Sequence, residues 1–141
     1  MKNDGSCLCG KIKFLVKKDI QTVYHCHCSL CRKQSGTGAN SATLVNETLF
    51  EWISGTDSIS TFKKDTGFTS FFCMNCGSPV PNKVGNSSFM WIPLGLLNNM
   101  PIIKKRLGFC LTSKSNWSPV VTLDREYLEL PSWNELKEYF D

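Results

Sequence analysis

Residues 5–10 read GSCLCG, and a second pair of cysteines follows much later, in FFCMNCGSPV at 71–80. In an extended strand, residues i and i+2 point to the same face, so Cys7 and Cys9 can present both sulfurs to one metal ion. Cys73 and Cys76 have the CxxC spacing that does the same from a tight turn. The four sulfurs together match a closed tetrahedral structural zinc site. Such a site would join the N-terminal strand to a hairpin about halfway along the chain.

A second cysteine group lies between these two pairs, in YHCHCSLC at 24–31. Three protein ligands and one exchangeable position are typical of catalytic zinc sites. The sequence therefore predicts a second, open metal site, whose fourth position is left for water or a substrate atom. Its predicted ligands are Cys26, Cys28 and Cys31.

Two alternatives to this assignment stay open from the spacing alone. His25 or His27 could complete the second site, although His27 lies between two cysteines whose side chains would point the opposite way in an extended segment. A cysteine of the triplet could instead join the first site. The eighth cysteine, Cys110, stands in the apolar run LGFCL and is expected to be a small buried hydrophobe.

The eight cysteines are also informative about the cellular compartment. The N-terminus has no apolar stretch that could form the core of a signal peptide, and no later run approaches the roughly 20 apolar residues of a membrane span. The sequence predicts a soluble, cytoplasmic chain without a membrane partner. Thiols stay reduced there, so grouped cysteines indicate metal binding rather than disulfides.

The formal charge of +4 does not indicate a nucleic-acid partner. Metal-bound cysteines are thiolates, so a four-thiolate zinc site would contribute −2 and a three-thiolate site −1, which brings the loaded protein to about +1. Nucleic-acid binding would also require basic and aromatic residues clustered on one face. We therefore expect no nucleic-acid partner.

Most of the chain alternates between apolar and polar residues with the period of half-buried strands. The pattern is clear at 12–16 and recurs near 40–46, 49–54, 58–63, 69–73, 79–84 and 88–94. Glycine-containing turns separate these runs by short distances that favour antiparallel hairpins over crossover helices. The 141 residues fall within the size of one domain, so we predict a single all-β domain over 1–141.

Two short helices and one charged segment complete the prediction. Ser29 is expected to cap a helix that runs to Gln34 and stops at Gly36. The segment SWNELKEYF at 132–140 begins with a capping box and has an apolar face that should pack on a sheet. The basic run at 104–106 is expected to protect an edge strand rather than to bind a ligand.

The motifs resemble those of the glutathione-dependent formaldehyde-activating enzymes, whose domain is shared with centromere protein V. The matching stretches are GSCLCGKIKF, YHCHCSLCRKQSG, FFCMNCGSPV, SKSNW at 113–117 and LPSWNELKEYF. The resemblance implies a β-tent fold of antiparallel sheets and two zinc sites divided as above. It also implies carbon–sulfur lyase chemistry, in which formaldehyde joins glutathione as S-hydroxymethylglutathione at the open site.

The sequence departs from the family pattern at a few positions. Relatives usually carry a histidine at the position of Gly108 and a proline at the position of Asn116. They tend to have acidic residues where Asn98 and Asn99 stand. Any substrate contact made by that histidine would be missing here.

The expected function is a zinc-dependent carbon–sulfur lyase that acts on a small thiol adduct. Arg32 and Lys33 follow the triplet and are hypothesised to offset its negative charge when a substrate thiolate binds. The sequence identifies no catalytic residue beyond the metal ligands and no oligomeric state. The alternative is a zinc-stapled protein-binding module without turnover, because a fold does not settle a function.

Overall fold

The computed structural model describes residues 3–141 and confirms an all-β architecture. Short 3-10 turns occupy Glu47–Leu49, Thr56–Ser58, Leu94–Leu96 and Leu111–Ser113. The two α-helices are α1 (Ser29–Ser35) and α2 (Trp133–Glu138). The strands are β1 (Asn3–Ser6), β2 (Lys13–Val16), β3 (Thr22–Cys26), β4 (Asn40–Asn46), β5 (Phe50–Ser54), β6 (Ile59–Lys63), β7 (Thr69–Cys73), β8 (Asn82–Lys83), β9 (Phe89–Pro93), β10 (Lys105–Phe109) and β11 (Arg125–Glu126).

The strands form three sheets. The largest has the order β11-β10-β3-β4-β9-β8, a second has the order β1-β2-β5, and β6 pairs with β7 alone. The strand runs predicted from alternation are confirmed, except that in the 79–84 run only Asn82–Lys83 forms a strand. Strands β1, β3, β10 and β11 were not among the predicted runs, because they are short or interrupted by polar and cysteine residues.

The expectation of antiparallel hairpins alone is wrong for β10. This strand runs parallel to β3 on one side and to β11 on the other, whereas the remaining ladders are antiparallel. Strands β3 and β10 lie far apart in the chain, so no tight turn determines their relative direction.

The basic run at 104–106 does not protect an edge either. Its strand, β10, lies inside the six-stranded sheet. The backbone N–H of Arg106 donates to Asp124 Oδ2 at 2.7 Å, and its carbonyl accepts from the Asp124 N–H at 2.8 Å. The polar edge of this part of β10 is therefore covered by the chain itself.

The two predicted helices are present, with one correction at a cap. The N-cap of α1 is Cys28, not Ser29, and its Sγ accepts a hydrogen bond from the Cys31 N–H at 3.4 Å. Gly36 ends the helix with φ 70° as expected. Ser132 caps α2 through the Glu135 N–H at 3.2 Å, and Phe140 is buried, so the predicted packing of this segment on a sheet is confirmed.

Strand β4 divides the core because both of its faces are covered. Leu44 packs with residues of β3, β9 and β10 and with the C-terminal segment that ends in Phe140. Val45 points the other way and packs with Phe14 and other residues of the three-stranded sheet. A third cluster surrounds the four-cysteine group, with members Cys7, Ile12, Cys73 and Val80.

One glycine allows the N-terminal loop to approach strand β5 closely. Gly55 has φ 84°, and a Cβ built on it would lie 2.0 Å from the carbonyl oxygen of Lys11. Ser54 Oγ donates to that same oxygen at 3.3 Å. The position therefore requires both a left-handed backbone and the absence of a side chain.

We expect Gly55→Ala to destabilise the fold more than Gly67→Ala, which is a matched control. Gly67 also has a positive φ, of 95°, but a Cβ there would meet no atom within 4 Å. Gly67→Ala should therefore lower the free energy of unfolding by about 1 kcal/mol, from backbone strain alone. Gly55→Ala should lower it by about 2 kcal/mol more, because its Cβ would collide with the Lys11 carbonyl oxygen. Urea unfolding of the three chains measures the difference. Equal destabilisation would contradict the close approach of Lys11.

Candidate metal centres and the adjoining cavity

The structure brings Cys7, Cys9, Cys73 and Cys76 together, with all four sulfurs within 4.8 Å of one another. The Sγ atoms of Cys7 and Cys9 are 3.6 Å apart, and those of Cys9 and Cys73 are 3.8 Å apart. A tetrahedron with Zn–S bonds of about 2.3 Å has S–S edges of roughly 3.8 Å. The donor set and its spacing therefore fit zinc.

Two similar glycine-ended loops shape this group. The Gly10 N–H donates to the Cys7 carbonyl at 3.1 Å, and the Gly77 N–H donates to the Cys73 carbonyl at 2.7 Å. The Leu8 N–H donates to Ser78 Oγ at 3.0 Å and so connects one loop to the other. The group is thus built from two local turns that the surrounding core holds together.

The environment of the sulfurs favours thiolates at part of this group. Hydrogen bonds with the Ser78 side chain and backbone lower the pKa of Cys76 to about 5. A hydrogen bond from the Asn75 side chain lowers the pKa of Cys9, whereas burial raises that of Cys73. The Ile12 N–H also donates to Cys7 Sγ at 3.4 Å. N–H donors around sulfur stabilise the charged form that a metal requires.

The second group consists of Cys26, Cys28 and Cys31, whose sulfurs also lie within 4.8 Å of one another. Cys26 ends β3, Cys28 caps α1 and Cys31 lies in the first turn of that helix. Cys26 is buried, whereas the other two are half-buried. A hydrogen bond with Cys31 and burial raise the pKa of the Cys26 thiol. A strand end and a helix start thus bring together the three sulfurs that the spacing predicts as ligands.

Neither alternative assignment fits the geometry. Among residues 3–141, no histidine nitrogen groups with the three sulfurs, and no cysteine of the triplet groups with the four-sulfur site. His25 instead lies between Arg106, whose Nη1 donates to its Nε2 at 3.0 Å, and Ser41, whose Oγ is 2.7 Å from its Nδ1. Burial and the Arg106 charge lower the pKa of His25 to about 4. His25 therefore stays neutral and turns away from Cys26.

Cys110 is buried, as predicted, but its position beside the triplet was missed. Its Sγ lies 3.9 Å from Cys26 Sγ, and its backbone has φ 57°. Burial raises the pKa of this thiol to about 12. The parallel register that pairs Phe109 with Cys26 creates this proximity, and no local sequence signal reports such a register.

The expected position of Arg32 and Lys33 near the thiolates is not supported. From α1, the residues that line the adjoining cavity are Leu30, Cys31 and Gln34. Arg32 and Lys33 lie in the last turn of the helix, where a positive charge interacts favourably with the negative end of the helix dipole. Their place in the helix thus accounts for favourable positions of the two charges, and neither residue lines the cavity.

A cavity of about 750 Å³ adjoins the three-cysteine group, and all three cysteines line it. Tyr24 also lines it and stacks on Phe109 with ring centroids 4.9 Å apart. Burial, followed by the neighbouring Cys31 and Cys26 thiols, raises the pKa of Tyr24 well above its ordinary value. The site thus combines three sulfurs with a phenol that keeps its proton.

Comparison with known proteins identifies the family of this chain. The sequence profile of the family described as glutathione-dependent formaldehyde-activating enzyme matches residues 2–112. This match covers more than half of the chain and includes both cysteine groups. The chain belongs to this family.

Individual relatives are more distant. A curated protein of Halomonas elongata, named "Putative glutathione-dependent formaldehyde-activating enzyme", is 31% identical over 81 residues, which are 53% of this chain. The chain matches 52% of that relative's length. A crystal structure of a Rhodobacter sphaeroides protein has a TM-score of 0.56 and 19% identity, over 69% of this chain and 89% of that one, which shows a shared fold.

The Gly108 departure does not remove a side chain from the cavity. Gly108 lies opposite His25 in the β3–β10 ladder, and its neighbour Phe109 lines the cavity. Alternation therefore places Gly108 on the other face of the sheet. A Cβ there would lie 2.6 Å from Leu123 Cδ1, so this leucine occupies the space that a side chain would need.

The asparagine departures have a structural explanation in the N-terminal strand. Asn98 Nδ2 donates to Asp4 Oδ2 at 2.9 Å, and the Asn98 N–H donates to the Asp4 carbonyl at 2.9 Å. Asn99 Nδ2 donates to Asn3 Oδ1. An acidic residue at 98 would face the carboxylate of Asp4. Nothing in the structure explains Asn116, which is exposed.

We expect Asn98→Asp to destabilise the chain by up to about 1 kcal/mol, because two carboxylates would then meet at an exposed position. The loss should shrink at high salt, and adding Asp4→Asn should reverse it by restoring an amide–carboxylate pair. Urea unfolding at low and high ionic strength measures both effects. A loss that is independent of salt and of Asp4 would contradict this pairing.

Proposed function

We propose that this chain is a zinc-dependent enzyme that forms or cleaves a carbon–sulfur bond in a small thiol adduct, such as S-hydroxymethylglutathione made from glutathione and formaldehyde. The observation that carries the proposal is the cavity of about 750 Å³ with three cysteine sulfurs in its wall. Family membership supports the thiol and aldehyde chemistry. We also propose a single cytoplasmic domain over 1–141 with the β-tent arrangement. Among residues 3–141, no helix is long and apolar enough to cross a bilayer.

The two cysteine groups are proposed to hold two zinc ions with different roles. The four-sulfur group would be structural, because its ligand set is complete and it joins two distant loops. The group of Cys26, Cys28 and Cys31 would hold the second ion with one position open toward the cavity. That ion would supply a soft Lewis acid suited to a thiolate or an aldehyde oxygen.

The protein's own groups account for the remaining steps. Addition of a thiol to formaldehyde breaks the S–H bond and the carbonyl π bond and forms one C–S bond, and the proton that the thiol loses ends on the aldehyde oxygen. Tyr24 keeps its phenolic proton and lines the cavity with the three cysteines, so its O–H is positioned to donate to that oxygen. Most of the exposed wall is apolar, and the lower local dielectric beside such a wall strengthens this hydrogen bond.

Replacing Cys28 by serine tests the role of the open site. Serine preserves the helix cap, so the fold should survive while one of two zinc ions and all activity are lost. Cys110→Ala is the matched control, since Cys110 is a buried cysteine outside both groups, and it should retain two ions. Elemental analysis under reducing conditions counts the zinc, and NMR with formaldehyde and glutathione follows the adduct. Full activity in Cys28→Ser would remove the three-cysteine group from the reaction, and an unmodified chain that forms the adduct no faster than the uncatalysed rate would favour the non-catalytic binding module.

Replacing Tyr24 by phenylalanine tests the proton donor. We expect kcat to fall by about 10²-fold, because the aldehyde oxygen loses its hydrogen bond while the ring still packs on Phe109. Zinc content and the melting temperature should stay unchanged. An unaltered kcat would remove Tyr24 from the mechanism without affecting the assignment of the metal site.

A further inference from the structure

The cavity beside the three-cysteine group has aromatic and aliphatic walls contributed by four separate parts of the fold. Strand β5 provides one tryptophan, the β6–β7 hairpin provides two phenylalanines, strands β9 and β10 provide a tryptophan and a phenylalanine, and α2 provides a leucine. These six residues are Trp52, Phe68, Phe71, Trp91, Phe109 and Leu136. Such walls favour an apolar ligand, because each aromatic ring removes apolar ligand surface from water.

Charged groups are scarce in this lining. Within residues 3–141, the charged side chains that line the cavity are Lys63 and Lys83, and both residues are exposed. Lys83 is already paired with Glu47, with Nζ and Oε2 3.2 Å apart. Glutathione carries two carboxylates and an ammonium group. The lining therefore offers the two carboxylates of glutathione only one lysine that is not in an ion pair, Lys63. It offers the ammonium group of glutathione no acidic side chain.

Two of the amide side chains in the lining, Gln34 and Asn40, are already hydrogen-bonded within the protein, whereas Asn82 Oδ1 is a buried acceptor without a partner among the described residues. Asn40 Nδ2 donates to Gln34 Oε1 at 3.1 Å, and Gln34 Nε2 donates to Ser70 Oγ at 3.1 Å. This chain of hydrogen bonds joins β4, α1 and β7. A ligand with two peptide bonds would lose hydrogen bonds to water and find few replacements here, which disfavours binding.

We propose that the site takes a small thiol with an apolar, aromatic-sized body, free or as its aldehyde adduct, in preference to glutathione. The inference rests on the proposed function, in which the three-cysteine group receives the substrate sulfur. The sulfur would lie at the triplet and the apolar body against the aromatic walls. A cavity of this volume, with few polar groups, is typical of sites for ligands of that kind.

The test compares two probes on the zinc-loaded full chain, phenylmethanethiol and glutathione. Trp52 and Trp91 line the cavity, so their fluorescence reports binding of either thiol, and elemental analysis confirms that zinc is retained. We expect the Kd of phenylmethanethiol to be at least tenfold lower than that of glutathione. Equal or tighter binding of glutathione would overturn the inference.

Two phenylalanines of the same hairpin provide a matched pair of variants. Phe68 is half-buried and lines the cavity, whereas Phe62 is 57% exposed and lies outside its lining. Phe68→Ser should raise the Kd of phenylmethanethiol about tenfold and leave that of glutathione unchanged. Phe62→Ser should change neither Kd. An unchanged affinity for phenylmethanethiol in Phe68→Ser would also overturn the inference.

The same probes separate this inference from the proposed function. If phenylmethanethiol binds more tightly than glutathione but no thiol reacts with formaldehyde, the substrate preference stands and the proposed reaction fails. If glutathione reacts with formaldehyde and phenylmethanethiol does not bind, the reaction stands and the preference fails. If neither thiol binds the zinc-loaded chain, both are overturned.

Discussion

The convergence of two cysteine loops that lie more than 60 residues apart in the chain is the constraint on which the rest of the structure depends. The loop after β1 and the loop after β7 meet through four sulfurs and through hydrogen bonds from Leu8 to Ser78 and from Asn75 to Cys9. Around them, Ile12 and Val80 form a small core that is separate from the two larger clusters. Local turns cannot bring these segments together, so joining them costs chain entropy. The free energy of binding a metal at this point would offset that cost.

Alternation along β3 then decides which residues belong to the open site. Tyr24 and Cys26 face the cavity, whereas His25 faces Arg106 and Ser41 on the other side of the sheet. The parallel partner β10 repeats the division, with Phe109 on the cavity face and Gly108 on the other. A one-residue shift in either strand would exchange these sets, because side chains alternate with a period of two. The strand register therefore determines which side chains face the cavity.

The departures from the family pattern have local compensations. Leu123 occupies the space beside Gly108, and Asn98 pairs with Asp4, so neither position is an unfilled part of the site. In the proposed substrate preference, the cavity walls rather than these positions distinguish among substrates. The aromatic rings of the lining favour an apolar thiol, and the charged side chains of the lining are limited to two lysines among the described residues. The family thus supports the reaction class, and the lining of this chain supports a choice of substrate within it.

The sequence by itself determined the β-strand class, the C-terminal helix with its Ser132 cap and the local grouping of seven cysteines into a CxC pair, a triplet and a CxxC pair. These features depend on residue types at short spacing, and the structure retains them. The parallel pairing of β3 with β10, the position of Cys110 beside Cys26 and the aromatic cavity were decided only by the tertiary structure. Arg32 and Lys33 illustrate the same limit, because they follow the triplet directly in sequence and yet do not line the cavity that its cysteines line. Local periodicity specifies which side chains lie on the same face of a strand or helix. Only long-range packing specifies which other parts of the chain that face contacts.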